Sequence, residues 1–301
     1  MTDLNSMLPT GSGWLLESAT AINESGQIAG SGKHNGLLHA FRLTRVTAMN
    51  VTAVSAADYK GVTLAPEGIV SAFGTDLATT TQAAIATPLP LELAGTQVTL
   101  RDSSGADHAA PLFFVSPFQI NFQLPSDTPT GTATVTIING DRTISVGSIQ
   151  IASVSPGIFT ADSSGQGAPA GLLLRIKANQ QQSYEPLARF DPAQKKYVPA
   201  PVIRQAGDQL FLVFFGTGMR NAPESDGNQT NGVAESVQAS IGSLNAPVLF
   251  AGAAPGFAGL DQINLQLPAE VTTGSNYSVI LKVSDGKGHL SSTNAVTIAI
   301  Q

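Results

Sequence analysis

Apolar and polar side chains alternate strictly along Gln119-Ile120-Asn121-Phe122-Gln123-Leu124. In extended backbone this puts Ile120, Phe122 and Leu124 on one face and three amides on the other, which predicts a half-buried strand. Residues 132–138 and 143–151 are rich in Thr, Val and Ile and flank Asn139-Gly140, a pair suited to the positive φ angles of a tight hairpin turn. The same grammar returns near the C-terminus, where residues 277–283 are followed by Asp285-Gly286 and then by residues 295–300. Long capped amphipathic patterns are missing, and Pro and Gly punctuate at the short spacing of sheets, so the chain reads as nearly all β.

The pattern repeats. Phe73-Gly74-Thr75 returns 142 positions later as Phe215-Gly216-Thr217, and Gln119-Ile120-Asn121 returns 143 positions later as Gln262-Ile263-Asn264. Around these landmarks Phe122-Gln123-Leu124-Pro125 matches Leu265-Gln266-Leu267-Pro268, and Ala110-Pro111-Leu112-Phe113 matches Ala246-Pro247-Val248-Leu249. Two copies of a unit of roughly 90 to 100 residues, each with enough strands for two facing sheets, account for this better than one large fold. The predicted fold class is all-β: two tandem Ig-like β-sandwiches over 48–156 and 207–301, a connecting hairpin region over 157–206, and an N-terminal β fragment over 1–47.

Composition narrows the partners. The chain has 301 residues, 42% of them hydrophobic and only 12% charged, which disfavours charge-driven disorder. Fifteen basic against twenty-one acidic residues give a net charge of −6, and no stretch gathers Lys and Arg into a stripe, so nucleic acid is not an expected partner. The longest apolar run, residues 210–215, has the length of a strand, far below the roughly 18 residues of a membrane span. Cysteine is absent, which removes disulfide and thiol chemistry. The first residues have no basic start before an apolar stretch and do not read as a secretory signal.

Candidate chemistry is sparse. Ser284-Asp285-Gly286-Lys287 has the Ser-x-x-Lys spacing, but that pairing needs a helix and here falls on a predicted turn. Gly30-Ser31-Gly32-Lys33 has the ending of a phosphate-binding loop without its first glycine or its hydroxyl residue, which His34 replaces. His34, His39, His108 and His289 show no metalloprotease spacing. Acidic and amide-rich loops at 102–107, 162–166 and 224–232 supply oxygen ligands of the kind calcium takes, the last most fully, but an EF-hand frame starting at Asp226 puts Asn231 where glycine is needed. The expectation is no metal, no cofactor and no catalytic residue. The amide faces Gln119, Asn121, Gln123 and Gln262, Asn264, Gln266 have the donors and acceptors to bind a glycan, with pairing inside the protein as the plainer alternative.

Residues 64–75, Gln119-Ile120-Asn121, Pro156-Gly157-Ile158-Phe159, Gly165-Gln166-Gly167, Phe215-Gly216-Thr217-Gly218 and residues 250–256 together resemble the Solibacter-type uncharacterised C-terminal domain family over about 51–301. Asp3-Leu4-Asn5-Ser6, Gly11-Ser12-Gly13-Trp14, residues 19–30 and His39-Ala40-Phe41 resemble one unit of the extracellular HAF repeat over about 1–45. The resemblance implies the C-terminal part of a longer exported bacterial protein, extracellular or at the cell surface. Its motif positions, Phe73 to Thr75, Gln119 to Asn121, Phe215 to Thr217 and Gln262 to Asn264, are expected to be structural. The expected role is a non-catalytic structural or adhesive module whose partner is a cell-surface protein or glycan. The alternative is a carbohydrate-binding module of a secreted enzyme or adhesin.

Overall fold

The structure is a computed structural model that describes residues 3–8, 12–44, 48–61, 63–223 and 236–301, with the backbone alone for residue 275. Strands dominate, and no helix among the described residues is long and apolar enough to cross a membrane. The chain divides into two compact units, residues 1–48 and 49–301.

The first unit is a three-stranded antiparallel sheet of Trp14–Ile22, Ile28–His34 and Leu37–Leu43. Asn35 and Gly36 both take positive φ in the two-residue turn between the last two strands, the twist that a tight hairpin requires. The Leu16 N–H donates to Asn5 Oδ1 at 2.7 Å and Asn5 Nδ2 donates to the Leu16 carbonyl at 3.0 Å, pinning the short 3₁₀ turn Leu4–Met7 to the edge strand. Phe41 is the only buried apolar side chain among the described residues of this unit, and Trp14 packs against it and against His34 and His39. Leu15, Ile22, Leu37 and Leu38 stay exposed.

The second unit holds two Ig-like β-sandwiches in tandem. In the first, an amide-bearing sheet runs Thr52–Ser55, Ile69–Phe73, Gln119–Gln123, Leu112–Val115, Gln82–Ala83. It faces a sheet built on Asp107–Ala109, Thr96–Arg101, Gly131–Ile138 and Ile144–Ile151. In the second, Asp261–Gln266 and Gln209–Thr217 are the centre of one sheet, and Val237–Ile241, Gly274–Ser284 and Val296–Ile300 that of the other. Each sandwich has its own core: Val70, Leu100, Ile120, Phe122 and Ile137 in the first, Leu212, Phe214, Ile263, Leu265 and Val279 in the second, all almost solvent-free. Period-2 alternation puts these residues inward, and burial of each large apolar side chain contributes about 1.5–3 kcal/mol.

Residues 157–206 are not a separate connector. Gly171–Ile176 pairs antiparallel along Gln209–Thr217, the position beside the Phe-Gly-Thr strand that Thr52–Ser55 fills in the first sandwich, and Gln182–Pro186 extends the same sheet. Pro201–Val202 lies parallel to Val296–Ile300, as Met49–Asn50 and Thr63–Leu64 lie parallel to Ile144–Ile151. The second copy therefore opens near residue 201 and carries the preceding strands as an enlargement of its sheet. The physical reason is that Leu173, Leu187 and Ile158 bury their side chains in the second core and cannot be solvated as a linker. Only the Ala188–Asp191 and Lys196–Pro199 hairpin stands apart as its own two-stranded pair.

Candidate functional site

The two repeat landmarks are one structural device, present twice. Gln119 is opposite Phe73 in the first sandwich, and Gln262 is opposite Phe215 in the second. Ile120 and Ile263 point into their cores, at 0% exposure each, while the amides face outward. Gln119 Nε2 donates to Asn121 Oδ1 at 2.9 Å and Gln262 Nε2 donates to Asn264 Oδ1 at 2.9 Å, so each strand carries the same short amide ladder. The neighbouring strands share a bulge as well, between Leu112 and Phe114 in one copy and between Val248 and Phe250 in the other. Gly74 and Gly216 keep the turn narrow: a Cβ on Gly216 meets the Gly157 carbonyl, and one on Gly74 comes within 3.1 Å of the Asn50 carbonyl, where the entering chain crosses.

The Phe-Gly-Thr turn of the second sandwich is the centre of a built junction with the first. Thr217 Oγ1 accepts from the Ile69 N–H at 2.8 Å and donates to the Gly259 carbonyl at 2.8 Å. Asn221 Nδ2 donates to the Pro66 carbonyl at 3.0 Å, and the Ser155 N–H donates to the Gly218 carbonyl at 2.8 Å. Gly218 has φ +80° and a Cβ there meets the Ser155 carbonyl, so two separate constraints ask for glycine. Asp261 is fully buried and accepts from the Met219 N–H at 2.8 Å and from Arg220 Nε at 2.7 Å, and Arg220 also lies 3.8 Å from Glu67. Burial pushes the Asp261 carboxyl above its usual range, opposed by those two donors. Asn294, also buried, holds both the N–H and the carbonyl of Ile158 and the carbonyl of Gly165. The gap between the sandwiches at Gly68, Val70 and Thr217 is about 10 Å³, too small for a ligand.

The ionisable groups serve the loops. Asp102 caps its own loop, accepting from the Ser104 and Ala106 N–H groups and from Ser104 Oγ, and its other oxygen lies 2.8 Å from His108 Nε2. His108 Nδ1 lies 3.1 Å from Asp127. The hydrogen bond that His108 donates to the Asp102 carboxylate raises the His108 pKa, and His108 holds the Asp102 carboxyl well below the usual range. Ser104, Asp102 and His108 converge, yet the carboxylate sits in the middle and the hydroxyl donates to it, so no imidazole is placed to take the serine proton. Asp162 likewise binds Ser164 of its own turn. Arg175, buried at the end of the second sandwich's sheet, pairs with Glu185 at 2.6 Å and Asp208 at 2.9 Å.

Among the described residues no group of three or more His, Asp or Glu side chains is arranged to hold a metal ion. The 224–232 loop lies outside the described residues. Gly30 to Lys33 fall within a strand, where Lys33 pairs with Glu17 at 2.9 Å. Ser284 and Lys287 flank a turn in which Asp285 accepts from the Lys287 and His289 N–H groups. Sequence reasoning missed Asp261, Arg220 and Asn294, whose partners are 40 or more positions away and carry no local signal. It also passed over what the apolar run at 210–215 implies for a strand, namely apolar residues on both faces.

No protein-family model matches the sequence, and no curated protein matches it. Among solved structures, the chain is similar to the SGBP-B protein of the Bacteroides ovatus mixed-linkage glucan utilization locus, solved in complex with a mixed-linkage heptasaccharide. The identity is 10% and the TM-score 0.35, covering 91% of this chain and 52% of that one, so the chain spans about half the length of that protein. It is also similar to tandem Ig domains of titin at 9% identity and a TM-score of 0.20, covering 85% of this chain and 99% of that one.

Proposed function

We propose that the chain is a non-catalytic structural module from the C-terminal part of an exported bacterial protein, with two sandwiches fused end to end to hold or present neighbouring parts of that protein at the cell surface. The observation that carries this reading is the missing hinge. Ile151 belongs to the first core and Val154 to the second, so three positions, at most about 10 Å of chain, separate two cores. Domains joined by exposed linkers move against each other by default. Here the connection is consumed by packing, and each of the junction's hydrogen bonds adds about 0.5–1.5 kcal/mol. The blocks that resemble the Solibacter-type family support export, and those that resemble a HAF unit support an extracellular setting.

Two measurements test the proposal. Spin labels placed on exposed sites of the two sandwiches should give one narrow distance distribution in the full chain, and a broad distribution would refute the rigid spacer. Antibodies raised against the chain should label intact cells of the source bacterium, and labelling only after lysis would refute surface exposure.

A further inference from the structure

The outer face of the second sandwich's amide-bearing sheet has an unusual composition. Strand register sets Tyr184, Leu174, Phe211 and Gln266 in one row across four strands. Pro186, Leu172, Val213, Asn264 and Phe250 form the next row, and Phe215 and Gln262 lie in the third. None of these residues is charged. Leu172, Leu174, Phe211, Phe215 and Phe250 are each only partly buried, and Tyr184, on the edge strand, is 63% exposed. The amides on this face keep capacity in reserve. The Gln262–Asn264 bond spends one N–H and one oxygen, leaving Asn264 Nδ2, Gln262 Oε1 and the whole Gln266 amide without partners among the described residues.

We infer that this face binds an uncharged polysaccharide. The reasoning is by chemistry. An anionic polymer would find no cation on the face to replace its counterions. A purely apolar protein surface would cover three amides and leave their donors and acceptors unpaired, at a desolvation cost for each. A sugar chain meets both halves of the surface: the C–H faces of pyranose rings pack on aromatic and aliphatic side chains, and hydroxyls, donors and acceptors at once, pair with amides. Backbone positions i and i+2 along one strand are about 6.8 Å apart and adjacent strands about 4.8 Å, spacings on the scale of a sugar unit, so an extended glycan engages several rows together. The first sandwich lacks this surface. There Asn121 is opposite Ser71, whose hydroxyl donates to Asn121 Oδ1 at 3.0 Å, and Tyr59 packs against Phe73. The inference goes beyond the spacer role and does not depend on the junction being rigid.

Native affinity electrophoresis of the full chain through gels containing hydroxyethyl cellulose, xyloglucan, galactomannan or dextran, with alginate as the charged control, tests it. At least one neutral polymer should retard the protein. Tyr184→Ala and, separately, Gln266→Ala should each weaken that retardation about tenfold or more while the melting temperature stays unchanged. Both residues are exposed, so a folding failure is separable by the melt. The inference is overturned if no neutral polymer retards the protein, if only alginate does, or if both variants bind like the parent. Sedimentation of the parent closes the remaining alternative: self-association that Tyr184→Ala abolishes would assign the face to a second copy of the chain instead.

Discussion

The same three residues, Phe-Gly-Thr, end the same strand in both sandwiches and meet opposite fates. Thr217 is 2% exposed and bridges Ile69 and Gly259 across the junction, whereas Thr75 is exposed. The strand that leads to each turn is opposite the Gln-Ile-Asn strand in the same register, so the difference does not arise within the repeat. It arises from what lies beyond the turn: the second copy's turn faces the loop at Pro66 and Glu67 of the first. A sequence repeat thus fixes pairing inside each sandwich and leaves the use of its ends to the neighbour.

The largest effect should come from the shared element. Ile120→Asp should unfold the first sandwich and Ile263→Asp the second, because each loses about 1.5–3 kcal/mol of burial and adds several more for an unpaired carboxylate. A domain has only about 5–15 kcal/mol to lose. Limited proteolysis of the full chain with mass spectrometry would locate the damage. Gln123→Lys and Gln266→Lys, on the outer faces, should cost no more than roughly 1 kcal/mol. Equal losses from the Ile and Gln changes would mean that the two faces have been assigned the wrong way round.

Next in size is the contrast between the two threonines. Thr217→Val should lower stability by about 1–3 kcal/mol, because the Ile69 N–H and the Gly259 carbonyl lose their partner in a closed junction. Thr75→Val, on an exposed turn, should stay within about 0.5 kcal/mol. Chemical denaturation of the two variants compares them directly, and similar midpoints would break the asymmetry described above.

The smallest effect is a pH dependence confined to the first sandwich. His108 binds its proton more tightly when folded, so its contribution is complete below about pH 6.5 and is lost as pH rises through the raised folded value. Asp102 is shifted the other way, so its contribution is present above about pH 3.9 and is lost as pH falls through the lowered folded value. The first sandwich should therefore be most stable between about pH 4 and 6.5 and soften on the alkaline side. His108→Gln should flatten that alkaline decline in melts followed from pH 6 to 9. A decline that persists in the variant would assign it to other groups.

Much of this architecture was legible along the chain. Strict alternation at 119–124 identified a strand with one buried face, and the paired landmarks identified two copies, because a period of two and a repeated unit are local properties of the chain. Asn139 and Gly140 marked the hairpin, but neither takes the expected positive φ: the connection is the longer loop 139–143, its positive φ falls on Arg142, and Asn139 caps it by accepting from the Asp141 and Thr143 N–H groups. The region at 157–206 was read as a link because its strands are short and follow a glycine-rich stretch. Nothing local says that Leu173 and Ile158 belong to the second core.

The sequence alone determined the strands near 119–124, 132–138, 143–151 and 277–300, the buried face of the first of these and the number of sandwiches, since those follow from side-chain period, turn chemistry and the repeat. Only the tertiary structure decided the ends and the outer faces. Thr217, Arg220, Asp261 and Asn294 have their roles because chain segments 40 to 153 positions apart meet there. The uncharged face of the second sandwich exists because Gly171–Ile176 and Gln182–Pro186 add their apolar residues to a sheet whose centre already carried three amides. Pairing between distant strands is set by the free energy of the whole packed unit, and no window of the sequence holds that information.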